Sequence, residues 1–138
     1  QLKKFPSFIE RRRHNWDRLR RALEQEADKL LLPEPAANSR PSWFGFLISV
    51  KPDSGLNRND VTRYVESHNV QTRLLFSGNL IKHPCFDQIR GTDAYRVIGE
   101  LSNTDFIMNN TFWVGVYPGM TDDMIDYMAQ TIIEAVNF

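Results

Sequence analysis

The chain has 138 residues, 41% of them hydrophobic and 25% charged, which bounds one domain with one core and excludes a disordered or coiled-coil polypeptide. Its 17 basic and 17 acidic residues balance, so overall charge points to neither nucleic acid nor a membrane surface. The apolar runs are far too short for a membrane span, no signal-peptide segment follows Lys3 and Lys4, and a single cysteine, Cys85, excludes an internal disulfide; an intracellular, reducing, cytoplasmic location is expected.

Charge is uneven along the chain. Residues 1–29 hold nine Lys or Arg against five acids, whereas the last nineteen carry Asp122, Asp123, Asp126 and Glu134 and no base. This asymmetry fits two terminal helices lying side by side, or two separate contact surfaces. Ser7 and Glu10 have capping-box spacing and predict a helix start at Ser7, with Phe8, Ile9, Trp16, Leu19 and Leu23 as its apolar stripe. Six arginines, from Arg11 to Arg21, cover much of the remainder. Such a helix either binds phosphate backbone or packs its arginine stems on neighbours; dilution by Glu10, Asp17 and Glu24 favours packing.

Leu30 to Leu32 reads as a short extended piece, followed by a proline-containing loop. Ser42 to Val50 is the strongest strand signal: Phe44, Phe46, Ile48 and Val50 alternate with Trp43, Gly45, Leu47 and Ser49, and Gly45 marks a close contact. After a turn at Pro52, Asp53 and Gly55, Asn57 caps a second helix that turns Val61, Tyr64 and Val65 inward and stops at Asn69. Asn69 to Phe76 reads as a strand with Val70, Thr72, Leu74 and Phe76 on one face, running into a polar loop of Ser77, Gly78, Asn79, Lys82 and His83. Polar groups gathered at a strand end on a glycine-containing loop are where binding chemistry commonly sits.

Beyond Pro84, a short helix is expected from about Asp93 to Leu101, with Tyr95, Ile98 and Leu101 buried. Phe106 to Tyr117 is expected as extended chain interrupted by Asn109 and Asn110, and a last helix capped by Thr121 carries the stripe Ile125, Met128, Ala129, Ile132 and Val136. The alternation predicts an α/β (α+β) domain: a small mixed sheet of three to four strands with helices mainly on one face.

No complete catalytic set emerges from residue types and spacing. His83 and Cys85 are two apart, and alternate positions on extended chain point apart, so Cys85 is expected to pack as a small apolar residue rather than to act as a nucleophile. His14, His68 and His83 lack metal-ligand spacing, and no metal site is expected. The sequon Asn109-Asn110-Thr111 is read as chance in a cytosolic chain. Asn109 and Asn110 are either turn residues or ligand-binding amides, and Arg73 either pairs with an acid or clamps a phosphate or carboxylate.

Four stretches together carry a resemblance: 6–16 (Pro-Ser-Phe-Ile-Glu-Arg-Arg-Arg-His-Asn-Trp), 41–46 (Pro-Ser-Trp-Phe-Gly-Phe), 70–86, and 109–119 (Asn-Asn-Thr-Phe-Trp-Val-Gly-Val-Tyr-Pro-Gly). Along essentially its whole length the sequence resembles the C-terminal part of the lipopolysaccharide-biosynthesis CDP-4-keto-6-deoxy-D-glucose 3-dehydratases. These are members of the DegT-like sugar-nucleotide aminotransferase family, with the aspartate-aminotransferase fold. The resemblance implies that residues 1–138 are a single small C-terminal domain, with 1–29 as the connecting helix and a large cofactor domain absent. It implies a parent that uses pyridoxamine or pyridoxal phosphate (PMP/PLP), in some members with a [2Fe–2S] cluster. A homodimer, a CDP-ketosugar substrate and a reductase are the implied partners, with no nucleic acid and no membrane insertion. The implied product is a 3,6-dideoxyhexose precursor for O-antigen.

The departures matter equally. A histidine replaces the Schiff-base lysine in that branch, yet none of the three histidines here sits in the family's catalytic motif. No catalytic residue is therefore assigned to this chain, no cofactor is expected to bind it, and it is expected to be inactive alone. Asn79 is the expected closest contact to cofactor and sugar, with Arg73 and His83 in support and Asn109 and Asn110 on the adjoining rim. The first helix, cut from its connection, is expected to expose arginines and Trp16 as a patch favouring self-association. The alternatives are the small domain of a PLP-dependent sugar-nucleotide aminotransferase, a free-standing α/β ligand-binding module, and a nucleic-acid binder using the first helix.

Overall fold

The computed structural model describes residues 2–138. Helix α1 (Phe5–Leu23) leads to a two-residue strand β1 (Leu30–Leu31), then β2 (Gly45–Val50), α2 (Arg58–Ser67), β3 (Thr72–Leu74), α3 (Ser102–Asn110), β4 (Thr111–Gly115) and α4 (Asp122–Asn137). The strands form one sheet in the order β1-β2-β4-β3. Its four strands match the expected number, but all three pairings are antiparallel rather than mixed.

The central pairing sets Phe46 against Val114 and Ile48 against Phe112, which puts four fully buried side chains on one face. Leu19 and Leu23 of α1, Val61 and Val65 of α2, and Ile125, Met128 and Ile132 of α4 cover that face. The α4 stripe is the one expected, and Thr121 caps the helix by accepting from the Met124 N–H at 3.3 Å. Asn57 caps α2 through the Asn59 N–H at 2.8 Å, and Asn69 stops the chain behind that helix at φ 62°.

α1 and α4 lie side by side, as their opposite charges suggested. Arg18 forks onto Asp126 at 2.6 and 2.7 Å, Arg11 reaches Asp122 at 2.7 Å, and His14 Nε2 lies 3.0 Å from the same carboxylate. The Asp126 carboxyl is held below its ordinary range chiefly by the hydrogen bond from Arg18, and that of Asp122 chiefly by the one from Arg11. Arg12 donates to the Trp43 carbonyl, Arg13 to those of Pro41 and Arg40 and to Glu10, and Arg20 lies 3.6 Å from both Glu24 and Glu34. Trp16 is buried, stacked on Trp43 with centroids 4.4 Å apart. The exposed arginine–tryptophan patch expected of α1 does not exist, because these arginines and Trp16 fasten the helix to loop and sheet.

Four sequence expectations are corrected. Ser7 is not a cap: α1 begins two residues earlier, Pro6 is accepted in its first turn, and Ser7 Oγ donates to the Lys4 carbonyl. Phe44 is not in the strand or on its core face; it is 68% exposed and leans on Trp113 at 5.1 Å. The strand expected from Asn69 to Phe76 shrinks to Thr72–Leu74. Its register sets Leu74 against Phe112, and one residue earlier than Thr111 the partner chain is helical, so the ladder has nothing further to bond. Phe76 then turns to φ 46° and is 83% exposed. The helix expected over Asp93–Leu101 is also absent, because Gly99 sits at φ 69° inside it; the helix is Ser102–Asn110, and it takes in the Phe106-Ile107-Met108 expected as strand.

Candidate functional site

Between β3 and α3 the chain makes a long excursion, residues 75–101, built of short helical turns and bends. Loops of this length without regular structure in a compact domain are usually functional or disordered. This one is fastened at one point. Asn79 is only 2% exposed, and its Nδ2 donates to Asp105 Oδ1 at 2.7 Å. Lys82 Nζ reaches the other carboxylate oxygen, Oδ2, at 2.7 Å. The Asn79 N–H points to Met108 Sδ at 3.3 Å. Asp105 and Met108 are three apart on α3 and so share a face. Asp105 is held below its ordinary carboxylate range, first by the hydrogen bond from Lys82 and then by that from Asn79.

Gly78 lets the loop come this close. It adopts φ 63°, and a Cβ there would lie 2.5 Å from Met108 Cγ. The His83 ring binds the Ser77 carbonyl, closing the turn on itself. Beyond this latch, Leu80, Ile81, Phe86, Ile89 and Tyr95 line an apolar cup of about 290 Å³ with Arg90 at its rim. Arg90 is tied to Asp87 at 2.6 Å. Cys85 is exposed rather than packed.

The residues singled out from sequence therefore divide. Asn79 and His83 belong to the latched loop, although the Asn79 side chain faces inward to α3. Arg73 is exposed on the opposite sheet face from Thr72 and donates to the Thr72 carbonyl at 2.9 Å. It lines a different groove of about 570 Å³, shared with Trp113, Tyr117, Met124 and Tyr127. Asn109 and Asn110 do not interrupt a strand; they end α3, with Asn109 exposed and Asn110 bonded to the Phe106 carbonyl at 3.1 Å in its own helix. Asp105 and Met108, which anchor the loop, were missed. Ser102-Asn103-Thr104-Asp105 before Phe106-Ile107-Met108 has the spacing of a helix start and carried the available signal.

The four-stranded antiparallel sheet with helices mainly on one face is shared with solved PLP-dependent enzymes of the aminotransferase fold. The chain belongs to the DegT/DnrJ/EryC1/StrS aminotransferase family, whose model matches residues 1–133. It is 48% identical over 136 residues to the dTDP-4-dehydro-2,6-dideoxy-D-glucose 3-dehydratase of Saccharopolyspora spinosa, covering 99% of this chain and 28% of that protein. It is 44% identical over 134 residues to the lipopolysaccharide biosynthesis protein RfbH of Salmonella typhimurium, covering 97% of this chain and 30% of that one. Among solved structures, the GDP-4-keto-6-deoxy-D-mannose-3-dehydratase of E. coli with bound hydrated PLP superposes with a TM-score of 0.80 at 28% identity, over 95% of this chain and 32% of that one. The chain thus spans under a third of the length of these relatives.

The groups present do not by themselves fit a pyridoxal-type cofactor. The Lys82 amine is engaged by Asp105, the His83 ring is closed on Ser77, and the groove beside Arg73 and the one beside Leu47 are lined mainly by apolar surface. The one cysteine of the chain falls short of the four ligands that an iron–sulfur cluster needs. No helix among the described residues is long and apolar enough to cross a membrane.

Proposed function

We propose that this chain is the small domain of a PMP-dependent sugar-nucleotide 3-dehydratase and that it forms one wall of the active-site mouth without catalysing alone. The observation that carries this reading is identity of 48% and 44%, across nearly the whole chain, to a sugar 3-dehydratase and to a lipopolysaccharide biosynthesis protein. The aminotransferase structures, including one from Psychrobacter cryohalolentis at 19% identity, share the fold only. In this reading the 75–101 loop faces cofactor and substrate. The latch fixes its base, and the apolar cup offers a surface for the nucleotide portion of a sugar nucleotide. Asn79 and His83 then hold the loop's shape; Arg73, Asn109 and Asn110 lie on neighbouring surfaces. The parent is proposed to be a cytoplasmic homodimer making 3,6-dideoxyhexose precursors for O-antigen. Any [2Fe–2S] cluster and reductase contact belong to other parts of it.

The test is turnover of a CDP-4-keto-6-deoxyhexose by the longer polypeptide loaded with PMP, followed by loss of the 3-hydroxyl. The longer polypeptide is expected to be active and the 138-residue chain inactive. Turnover by the short chain alone would overturn the reading. Transamination without dehydration, with a lysine at the Schiff-base position, would move the parent to the aminotransferase branch.

A further inference from the structure

Helix α3 carries the anchor of the 75–101 loop, yet it contributes no side chain to the hydrophobic core. None of its residues is buried. Its side-chain hydrogen bonds run to the loop, from Asn79 and Lys82 to Asp105, or back into its own helix, from Asn110 to Phe106. The helix passes into β4 with no linker, and Thr111, where the two meet, is 2% exposed. The Thr111 hydroxyl pairs with that of Ser49 at 2.7 Å, and its carbonyl accepts from a terminal nitrogen of Arg58 at 3.0 Å. Arg58 opens α2 and is itself only 9% exposed, with Nε donating to Asn59 Oδ1 at 2.8 Å. No carboxylate pairs with it among the described residues, and burial holds its pKa below the ordinary value. A buried cation without a counter-charge is retained where dipoles replace one. The amino end of α2 does the opposite, since it carries partial positive charge; the carbonyl end of α3, which Thr111 closes, carries partial negative charge. The guanidinium is therefore sited for α3 and not for its own helix.

We infer that Arg58 is a positioning residue for the sugar-nucleotide site: by holding the carbonyl end of α3 it fixes the post to which the substrate-facing loop is latched. The inference rests on the reading above that residues 75–101 face the substrate. It adds a residue that bonds to neither the loop nor the substrate and yet sets where the loop lies. The line of contacts is short: Arg58 to the Thr111 carbonyl, Thr111 into α3, and Asp105 of α3 to Asn79 and Lys82. Loss of the guanidinium leaves the loop's own groups intact and moves their support. Substrate and transition state then lose the same contacts, which raises KM and leaves kcat alone.

The test uses the longer polypeptide with Arg58→Met, Arg58→Lys and, at a fully buried core position of the same helix, Val65→Ala. Arg58→Met keeps the stem and loses every donor. It is expected to raise KM for a CDP-4-keto-6-deoxyhexose about tenfold with kcat within about twofold, the size of one hydrogen bond from a charged group. Arg58→Lys keeps the cation but not the fork that serves Asn59 and Thr111 together, and is expected to raise KM about threefold. Val65→Ala is expected to lower stability and leave KM unchanged. Hydrogen–deuterium exchange gives a readout free of turnover: in Arg58→Met, peptides from 75–110 should exchange about tenfold faster, and those of β2 and α4 at the unsubstituted rate. Equal quickening throughout, or a KM rise in Val65→Ala as large as in Arg58→Met, makes Arg58 a residue of general stability and overturns the inference while the dehydratase reading stands. Where Arg58→Met does not fold, Arg58→Lys decides: unchanged KM and unchanged exchange over 75–110 overturn the inference. No turnover by the unsubstituted protein, with exchange in the variants quickened only over 75–110, removes the dehydratase reading and keeps the hold of Arg58 on the loop.

Discussion

Gly78→Ala probes the latch in a way that separates its two physical components. The residue would be held at φ 63°, which costs an alanine about 1–2 kcal/mol. Its Cβ would also meet Met108 Cγ at 2.5 Å, and making room in a packed contact costs about 1–3 kcal/mol, toward the lower end here because methionine is pliable. Gly91→Ala is the internal control. It lies in the same loop at φ 80° with nothing within 4 Å of its Cβ, so it carries the backbone cost alone. Gly78→Ala is thus worth about 2–4 kcal/mol and Gly91→Ala about 1–2, or roughly 30- to 700-fold against 5- to 30-fold in the opening equilibrium of the loop. Limited proteolysis within 75–101 reads that equilibrium when opening is fast relative to cleavage. Thermal melting shows whether the loss is local: a global loss of that size would lower the Tm by about 6–12 °C, whereas local opening leaves it within about 2 °C. Equal proteolytic rates for the two variants, or a Tm fall of the global size, would refute the latch.

Ile48→Ala, at a fully buried position in the sheet core, is expected to cost about 2–5 kcal/mol, read as a shift in chemical denaturation midpoint with an unchanged m-value. The α1–α4 interface is expected to weaken in acid. Asp122 and Asp126 are held below their ordinary value of 3.8, so the stability they confer is complete above that pH and is lost as the pH falls through their lowered values. The Asp122→Asn, Asp126→Asn double variant should show a flatter profile in melts between pH 7 and pH 2. Asp105→Asn keeps an acceptor for Asn79 but removes the anion from Lys82, so amide exchange at Asn79 should quicken less than in Asp105→Ala; equal effects would mean that the Lys82 contact carries the latch.

Regular periodicity was readable and irregular chain was not. The α4 stripe, the β2 and β4 alternations, the Asn57 and Thr121 caps and the close contact at Gly45 were visible because each is a local pattern with a local cause. The Gly45 contact is with Trp113, whose Cε3 would lie 2.6 Å from an added Cβ. Strand β3 was overestimated because its far end depends on what the partner chain does before Thr111, which no local window contains. The helix at Ser102–Asn110 was displaced because Tyr95, Ile98 and Leu101 mimic a stripe while Gly99 turns left-handed among them. The loop was recognised as a polar concentration, but Asp105, its anchor, is 26 residues from Asn79 and only the fold brings them together.

The arginines of α1 also set the order in which the chain can be completed. Arg11 and Arg18 bond to residues 104–111 positions further along, and Asn15 to the Tyr117 carbonyl 102 further. Closure over such separations is entropically late. α1 is made before α4, and until α4 follows, Trp16 can pack on Trp43 and Phe46 while Arg11 and Arg18 lack their carboxylate partners. Removing α4 should therefore do more than trim an edge: it should leave the earlier residues collapsed, unlocked and in need of a chaperone.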